Sequence, residues 1–153
     1  MSTATLHAPV FTSTDEAEIL AVVQNLRRAH LEKDTALFAA QFAPDTAVYN
    51  LAPPLVHRGI DIEEKQAWFD SWATPIEIDS HGLKVVGSGD FAVCHGFLHM
   101  SGRKKGAEQA VNFWMRETLC LERQGGGWRI VHEHTSVPFY MDAALRPAFD
   151  LQP

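Results

Sequence analysis

Apolar residues recur every third or fourth position from Ile19 through Val22, Val23, Leu26 and Ala29 to His30, then stop at the charged run Glu32-Lys33-Asp34. That period turns one helix face toward a core, and Thr14 or Asp15 stands where an N-cap belongs, so a long amphipathic helix is predicted. A shorter second helix is expected over Thr35 to Phe42, closed by Ala43-Pro44-Asp45, because proline and the residue before it disfavour helix continuation. "TAVYNL" then reads as a strand. The prolines of "LAPPLVHRG" bend the chain out of it, and Gly59 closes a short edge segment. A third helix is predicted over "IDIEEKQAWFDSWATP", ending at Pro75, with Trp68, Phe69 and Trp72 on one face.

Beyond Pro75 the pattern changes. "IEIDSHGLKVVG", "FAVCHGFLHMSG", "VNFWMRETLCLER" and "WRIVHEHTSVPF" are long and strand-like, divided by glycine-containing turns such as "GSGD" and "QGGG". Four consecutive long strands imply an antiparallel sheet. Helices gathered at the front and strands at the back make an α+β domain, with the helices covering one face of a strongly bent sheet. No internal repeat is present.

At 153 residues the chain fits one domain with room for a core and a pocket. The expected division is a flexible N-terminal arm over 1–13 and a single domain over 14–153. An apolar fraction of 46% and a charged fraction of 21% are ordinary for a soluble globular protein. The formal charge of -6 argues against a nucleic-acid binder, which needs a surplus of Lys and Arg. Arg103-Lys104-Lys105, the one basic run, reads as a turn. The first dozen residues lack the basic start and apolar run of a signal peptide, and no apolar stretch approaches the ~20 residues that span a bilayer. A cytoplasmic protein without membrane contact is expected. Cys94 and Cys120 sit in apolar strand-like segments without metal-ribbon or redox-pair spacing, so buried free thiols are favoured over a disulfide.

The order helix, helix, strand, short strand, helix and four long strands resembles the cone-shaped NTF2-like fold, three helices of the N-terminal half packed on a strongly curved, mostly antiparallel sheet. Within that superfamily the chain is most similar to the SnoaL-like, ketosteroid isomerase-like proteins, a subgroup largely without an assigned reaction. The residues that carry the resemblance are "YNLAPPL" with Gly59, "WF" at 68 and 69, and "WMRETLCL" with "WRIVHEHTSVPF". It implies a deep pocket between the concave sheet and the helices, and a homodimer formed through the sheets. It does not imply one reaction. Ketosteroid isomerases carry an aspartate base at the end of the first long strand, where Asn50 falls here, and Leu26 falls near their pocket tyrosine. An amide cannot take a proton from carbon at neutral pH, so steroid isomerisation is not expected.

Simple alternation on the last strand puts Trp128, Ile130, His132, His134 and Ser136 on one face and Arg129, Val131, Glu133, Thr135 and Val137 on the other. The bulk of Trp128 and Ile130 turns their face toward the helices and carries both histidines into the cavity. On the neighbouring strand, Asn112, Trp114, Arg116, Thr118 and Cys120 oppose Phe113, Met115, Glu117, Leu119 and Leu121; periodicity does not choose between them, and the family motif favours Arg116 inward. His132 and His134 are then candidate proton-transfer groups and Arg116 a holder of oxyanions, unless the imidazoles merely line the wall. Tyr49, Asn50, Trp68, Trp72, His99 and Trp114 are candidate substrate-binding residues, and Trp68, Phe69, Trp72 and Trp114 with Tyr49 would give an aromatic wall suited to a flat, mostly apolar ligand. His95 and His99 share a face, but strand neighbours hold their tips apart, so no metal site is expected. "DIEEKQ" reads as a solvated helix start and Glu133 as an outward acid. The expected function is a cofactor-independent acid-base enzyme of isomerase, cyclase or dehydratase type on a small hydrophobic carbonyl compound; the rival is a non-catalytic binding or association module.

Overall fold

The computed structural model describes residues 10–153; residues 1–9, most of the expected arm, lie outside the described residues. Helix α1 runs Ser13–Glu32, and its N-cap is Thr12 rather than Thr14 or Asp15. The cap is reciprocal: the Thr12 hydroxyl accepts from the Asp15 N–H at 3.3 Å, and the Asp15 carboxylate accepts from the Thr12 N–H at 2.8 Å. Asp15 also pairs with Arg123, tying the start of α1 to the sheet, and that hydrogen bond with those from Thr12 holds its carboxyl down to about 2. The stripe from Ile19 to His30 is buried, as its period requires.

Helix α2 is Thr35–Ala39, ending earlier than proline rules alone suggest, and strand β1, Phe42–Tyr49, passes through Pro44. Proline is tolerated there because the register of β1 against its parallel partner breaks between Phe42 and Ala47, so no regular ladder bond is lost. Strand β2, His57–Arg58, pairs antiparallel on the outer edge of β1. Helix α3, Ile62–Asp70, is capped by the Asp61 carboxylate accepting from the Glu64 N–H, and it stops at Ser71, so Trp72 lies beyond the helix. The four long strands are β3 Glu77–Ser88, β4 Phe91–Gly102, β5 Val111–Gln124 and β6 Gly127–Ser136, the last ending before Val137 instead of reaching Phe139.

The sheet order is β2-β1-β6-β5-β4-β3, antiparallel throughout except between β1 and β6. Besides the break between β1 and β6, two further register shifts interrupt it. Between His81 and Lys84 the register of β3 shifts against Phe97 and His95 of β4. Gly96 lies at that shift, where a Cβ would come within 2.9 Å of the His81 carbonyl oxygen. The second is in β6: Ile130 pairs with Leu121 and His132 with Cys120, so Val131 is an extra residue without a partner on β5. One added residue in a period of two exchanges the faces of everything after it.

Two apolar clusters fill the concave side. One joins α1 to Leu119, Leu121, Trp128 and Ile130; the other joins Phe69, Trp72 and Ile76 to Ile78, Leu98, Met100, Met115 and Val137. Between them the packing leaves a hollow. Cys94 and Cys120 are free thiols, and burial pushes the Cys94 thiol up to about 11. No described helix is long and apolar enough to cross a membrane.

Candidate active site

The hollow between the two clusters is a cavity of about 380 Å³ on the concave side of the sheet. Its apolar wall includes Phe38, Trp68, Trp72, Leu98, Met100, Phe113 and Met115, and the loop 50–53 with Gly59 and Ile60 borders it. Gly59 has φ +71°, and a Cβ there would lie 2.9 Å from the Pro44 carbonyl oxygen, so this rim position suits glycine alone. Into the apolar wall are set Arg27, His30, Lys65, Glu117 and Glu133.

Two of these groups satisfy each other. Glu117 is almost fully buried and accepts two hydrogen bonds from the Arg27 guanidinium, at 2.5 and 3.3 Å, while Arg27 Nε donates to Ser80 Oγ at 2.9 Å. A two-pronged Arg–carboxylate pair of this kind is geometrically locked.

Glu133 is different. Among the described residues its carboxylate has no ion-pair partner within 4.0 Å, and its oxygens keep access to the cavity. Burial, then the negative charge of Glu117, push its carboxyl up to about 7; Lys65 and Arg27 oppose the rise. Such a carboxyl shares its proton evenly near neutral pH, which suits a general acid or base.

Lys65 faces the same space from α3. Its ammonium lies 3.8 Å from the centroid of Phe38, 4.3 Å from that of Trp68 and 4.7 Å from that of Phe69. It donates to His30 Nε2 at 3.2 Å. The direction follows from the other ring nitrogen: Nδ1 lies 2.7 Å from the Leu26 carbonyl oxygen, which only accepts, so the proton is on Nδ1 and the lone pair on Nε2. Burial and the nearby Lys65 charge hold His30 well below its ordinary value, hence neutral. Burial likewise lowers Lys65 to about 8, against the pull of Glu133. One wall thus carries an acid and an amine whose proton affinities have converged.

A family model described as a SnoaL-like domain matches residues 19–140. The chain belongs to the SnoaL-like family. No curated protein sequence matches it. An NTF2-like protein of unknown function from Pseudomonas putida KT2440 is 26% identical with a TM-score of 0.81, over 93% of this chain and 99% of that one. A candidate scytalone dehydratase from Novosphingobium aromaticivorans is similar at 12% identity and a TM-score of 0.72, over 91% and 96%. A candidate ketosteroid isomerase from Shewanella frigidimarina is similar at 22% and 0.63, over 76% and 92%. The fold is therefore the NTF2-like, cystatin-like one, and these identities carry the fold without a reaction.

Within this SnoaL-like frame the candidate residues from the sequence divide. Trp68 and Trp72 line the cavity, and Asn50 borders it with its side-chain oxygen taken up by the Leu51 N–H at 2.9 Å. His132, His134, Arg116, Trp114, His99 and Tyr49 do not line it; this corrects the expectation that they face inward. After the extra residue Val131, His132 and His134 turn to the convex face, where His132 Nδ1 donates to the Ala47 carbonyl at 2.8 Å and both rings lie against Tyr49 at 4.7 and 5.7 Å. Arg116 donates to Ser136 Oγ at 3.1 Å on that face, and Trp114 lies between His81 and His99. The same shift brings Glu133 inward.

Sequence reasoning missed Lys65, Glu133, Glu117, Arg27 and His30 as site residues. Signals existed for two of them. Lys65 and Trp68 lie three residues apart, on one face of the predicted helix. Glu117 alternates with Phe113, Met115, Leu119 and Leu121, an almost wholly apolar face, and an acid set in such a row is a pocket or pair candidate. Nothing in the pattern marks Val131 as an added residue, so Glu133 was hidden.

Proposed function

We propose that the protein is a cofactor-independent proton-transfer enzyme of isomerase, cyclase or dehydratase type, acting on a small, largely apolar carbonyl compound held in the aromatic cavity. Glu133 takes and returns a proton on the carbon next to the carbonyl, and Lys65 draws electron density toward the carbonyl from the other side. The observation that carries this reading is the pairing of an unpartnered carboxyl with an aromatic-enclosed amine on one small, mostly apolar space. A carboxylate poised near neutral pH in a dry setting is a far stronger base toward carbon than one in water. The Novosphingobium neighbour described as a candidate scytalone dehydratase lends the same direction by fold analogy.

The experiment is deuterium exchange into a flat apolar ketone, 4-phenylbutan-2-one, in heavy water, followed by NMR. Wild-type protein should speed exchange beside the carbonyl, and Glu133→Gln should lower that rate by about a hundredfold or more, the usual scale of a positioned general base. Ketone binding without accelerated exchange would favour the binding-module reading instead.

The reading extends to a cytoplasmic homodimer formed through the convex face of the sheet. Supporting it are Tyr49, Phe91 and Phe97, large side chains each more than two-fifths exposed there.

A further inference from the structure

We infer that Lys65 acts on the carbonyl covalently, its side-chain nitrogen condensing with an aldehyde or ketone in the cavity to form an iminium that Glu133 then deprotonates at the adjacent carbon. This rests on the reading above that the cavity takes carbonyl compounds, and it names the form in which the carbonyl is activated.

Three geometric facts support it. First, Lys65 has no carboxylate within 4.0 Å among the described residues, so no ion pair must be broken to free its nitrogen. Lysines kept for structure are ordinarily paired or hydrated, and a lysine enclosed by apolar groups is the usual form of an amine nucleophile. Second, its neighbours hold a cation of either kind. The rings of Phe38, Trp68 and Phe69 stabilise an ammonium through their faces, and they stabilise equally the iminium that would take its place. Third, His30 positions the group: with its own proton fixed on the Leu26 carbonyl, Nε2 offers only a lone pair, which anchors one N–H of Lys65 and leaves the others toward the cavity.

Proton bookkeeping closes within the site. The ammonium of Lys65 gives one proton to the Glu133 carboxylate. The free amine forms a C–N bond to the carbonyl carbon, the C=O π pair moves to oxygen, and a proton passes from nitrogen to that oxygen, giving a carbinolamine. Glu133, now protonated, donates to the hydroxyl; the C–O bond breaks, water leaves, and the nitrogen pair closes the iminium. Glu133 is again a carboxylate and removes the adjacent C–H proton, the electrons flowing into the iminium to give an enamine. Reprotonation at that carbon, or at the far end of a conjugated C=C where the substrate carries one, and hydrolysis of the iminium by water release the product and restore Lys65. No oxidant, reductant or co-reactant beyond water takes part. With the amine lowered to about 8, about a tenth of Lys65 is uncharged at pH 7, against well under a thousandth for an ordinary surface lysine.

The test uses wild-type protein with 4-phenylbutan-2-one and sodium cyanoborohydride near pH 7, which reduces an iminium to a stable secondary amine, followed by digestion and peptide mass mapping. The adduct should form on Lys65 at least about tenfold faster than on the exposed Lys84 and Lys105, and Lys65→Arg should abolish the fast phase. Labelling of Lys65 no faster than of those two overturns the inference, and the wild-type map decides this even if Lys65→Arg fails to fold. Ketone deuteration measured in parallel separates the two claims. Accelerated exchange with Lys65 unlabelled overturns the covalent step and leaves the proton-transfer reading standing. Fast labelling of Lys65 without exchange supports the amine assignment and overturns the proton-transfer reading.

Discussion

Glu133→Gln should make the protein more stable at pH 8 while removing its proposed activity. Glutamine has the shape of the protonated acid and none of its charge, so the substitution isolates the cost of ionising Glu133 in place. Folding raises this carboxyl from an ordinary 4.5 to about 7, chiefly by burial. A raised acid keeps its proton longer in the folded than in the unfolded state, so it lowers stability as pH climbs from about 4.5 to about 7, and above that the loss is constant. At about 1.4 kcal/mol per pKa unit the full loss is near 3 kcal/mol, a figure that already contains the attraction to Lys65, and solvent screening through the open side of the cavity reduces it to about 2 kcal/mol. For a chain of this length that is about 4–8 °C in melting temperature. The assay is thermal unfolding of both proteins at pH 5 and pH 8. The variant should gain at pH 8 and differ by less than about 1 kcal/mol at pH 5. A variant equal to or less stable than wild type at pH 8, or a gain independent of pH, would refute the claim that Glu133 ionises at a cost.

Arg27→Met should behave oppositely, destabilising by about 3–5 kcal/mol in denaturant unfolding because Glu117 is left buried without its partner, whereas Arg27→Met with Glu117→Leu should recover most of the loss. A single variant within about 1 kcal/mol of wild type would contradict the burial of that pair. His132→Gln and His134→Gln should leave ketone exchange within about twofold of wild type, since both side chains lie on the convex face; a loss near that of Glu133→Gln would show that β6 does not turn at Val131. Phe97→Asp, on the same convex face, should convert a dimer to a monomer in light scattering by placing a charge in an apolar contact, and an unchanged mass would place any dimer contact elsewhere.

The order of the elements was legible because each obeys a local rule: the 3.6-residue stripe of α1, glycine turns between long strands, prolines after β1; α2, α3 and β6 end earlier than those rules suggest. Departures occurred where tertiary context overrode such a rule. Pro44 looks like a helix stop, yet it sits inside β1 because the parallel register is already broken there. The site was less legible for one physical reason. Face assignment along a strand assumes unbroken alternation, and Trp128 and Ile130 do face the core. Extrapolating from them past Val131 put every later side chain on the wrong face. On β5, where no such break occurs between Val111 and Cys120, periodicity left both faces open and the family motif favoured Arg116; the structure turns Met115, Glu117, Leu119 and Leu121 inward instead.

The two charge pairs on the cavity wall separate structure from chemistry. Arg27 and Glu117 meet directly in a two-pronged pair that neutralises both charges. Lys65 and Glu133 feel each other's charge without touching, and each is drawn toward neutrality by the protein around it. If stability alone shaped this wall, the second pair would gain by closing into contact or by becoming apolar, since enclosed charges without partners are among the costliest features a fold can carry. The separation preserves an open space between an acid and an amine of nearly matched proton affinity, bounded by aromatic rings. On the reading proposed above, that space holds a carbonyl compound with an acidic neighbouring C–H, one end meeting the acid and the other the amine.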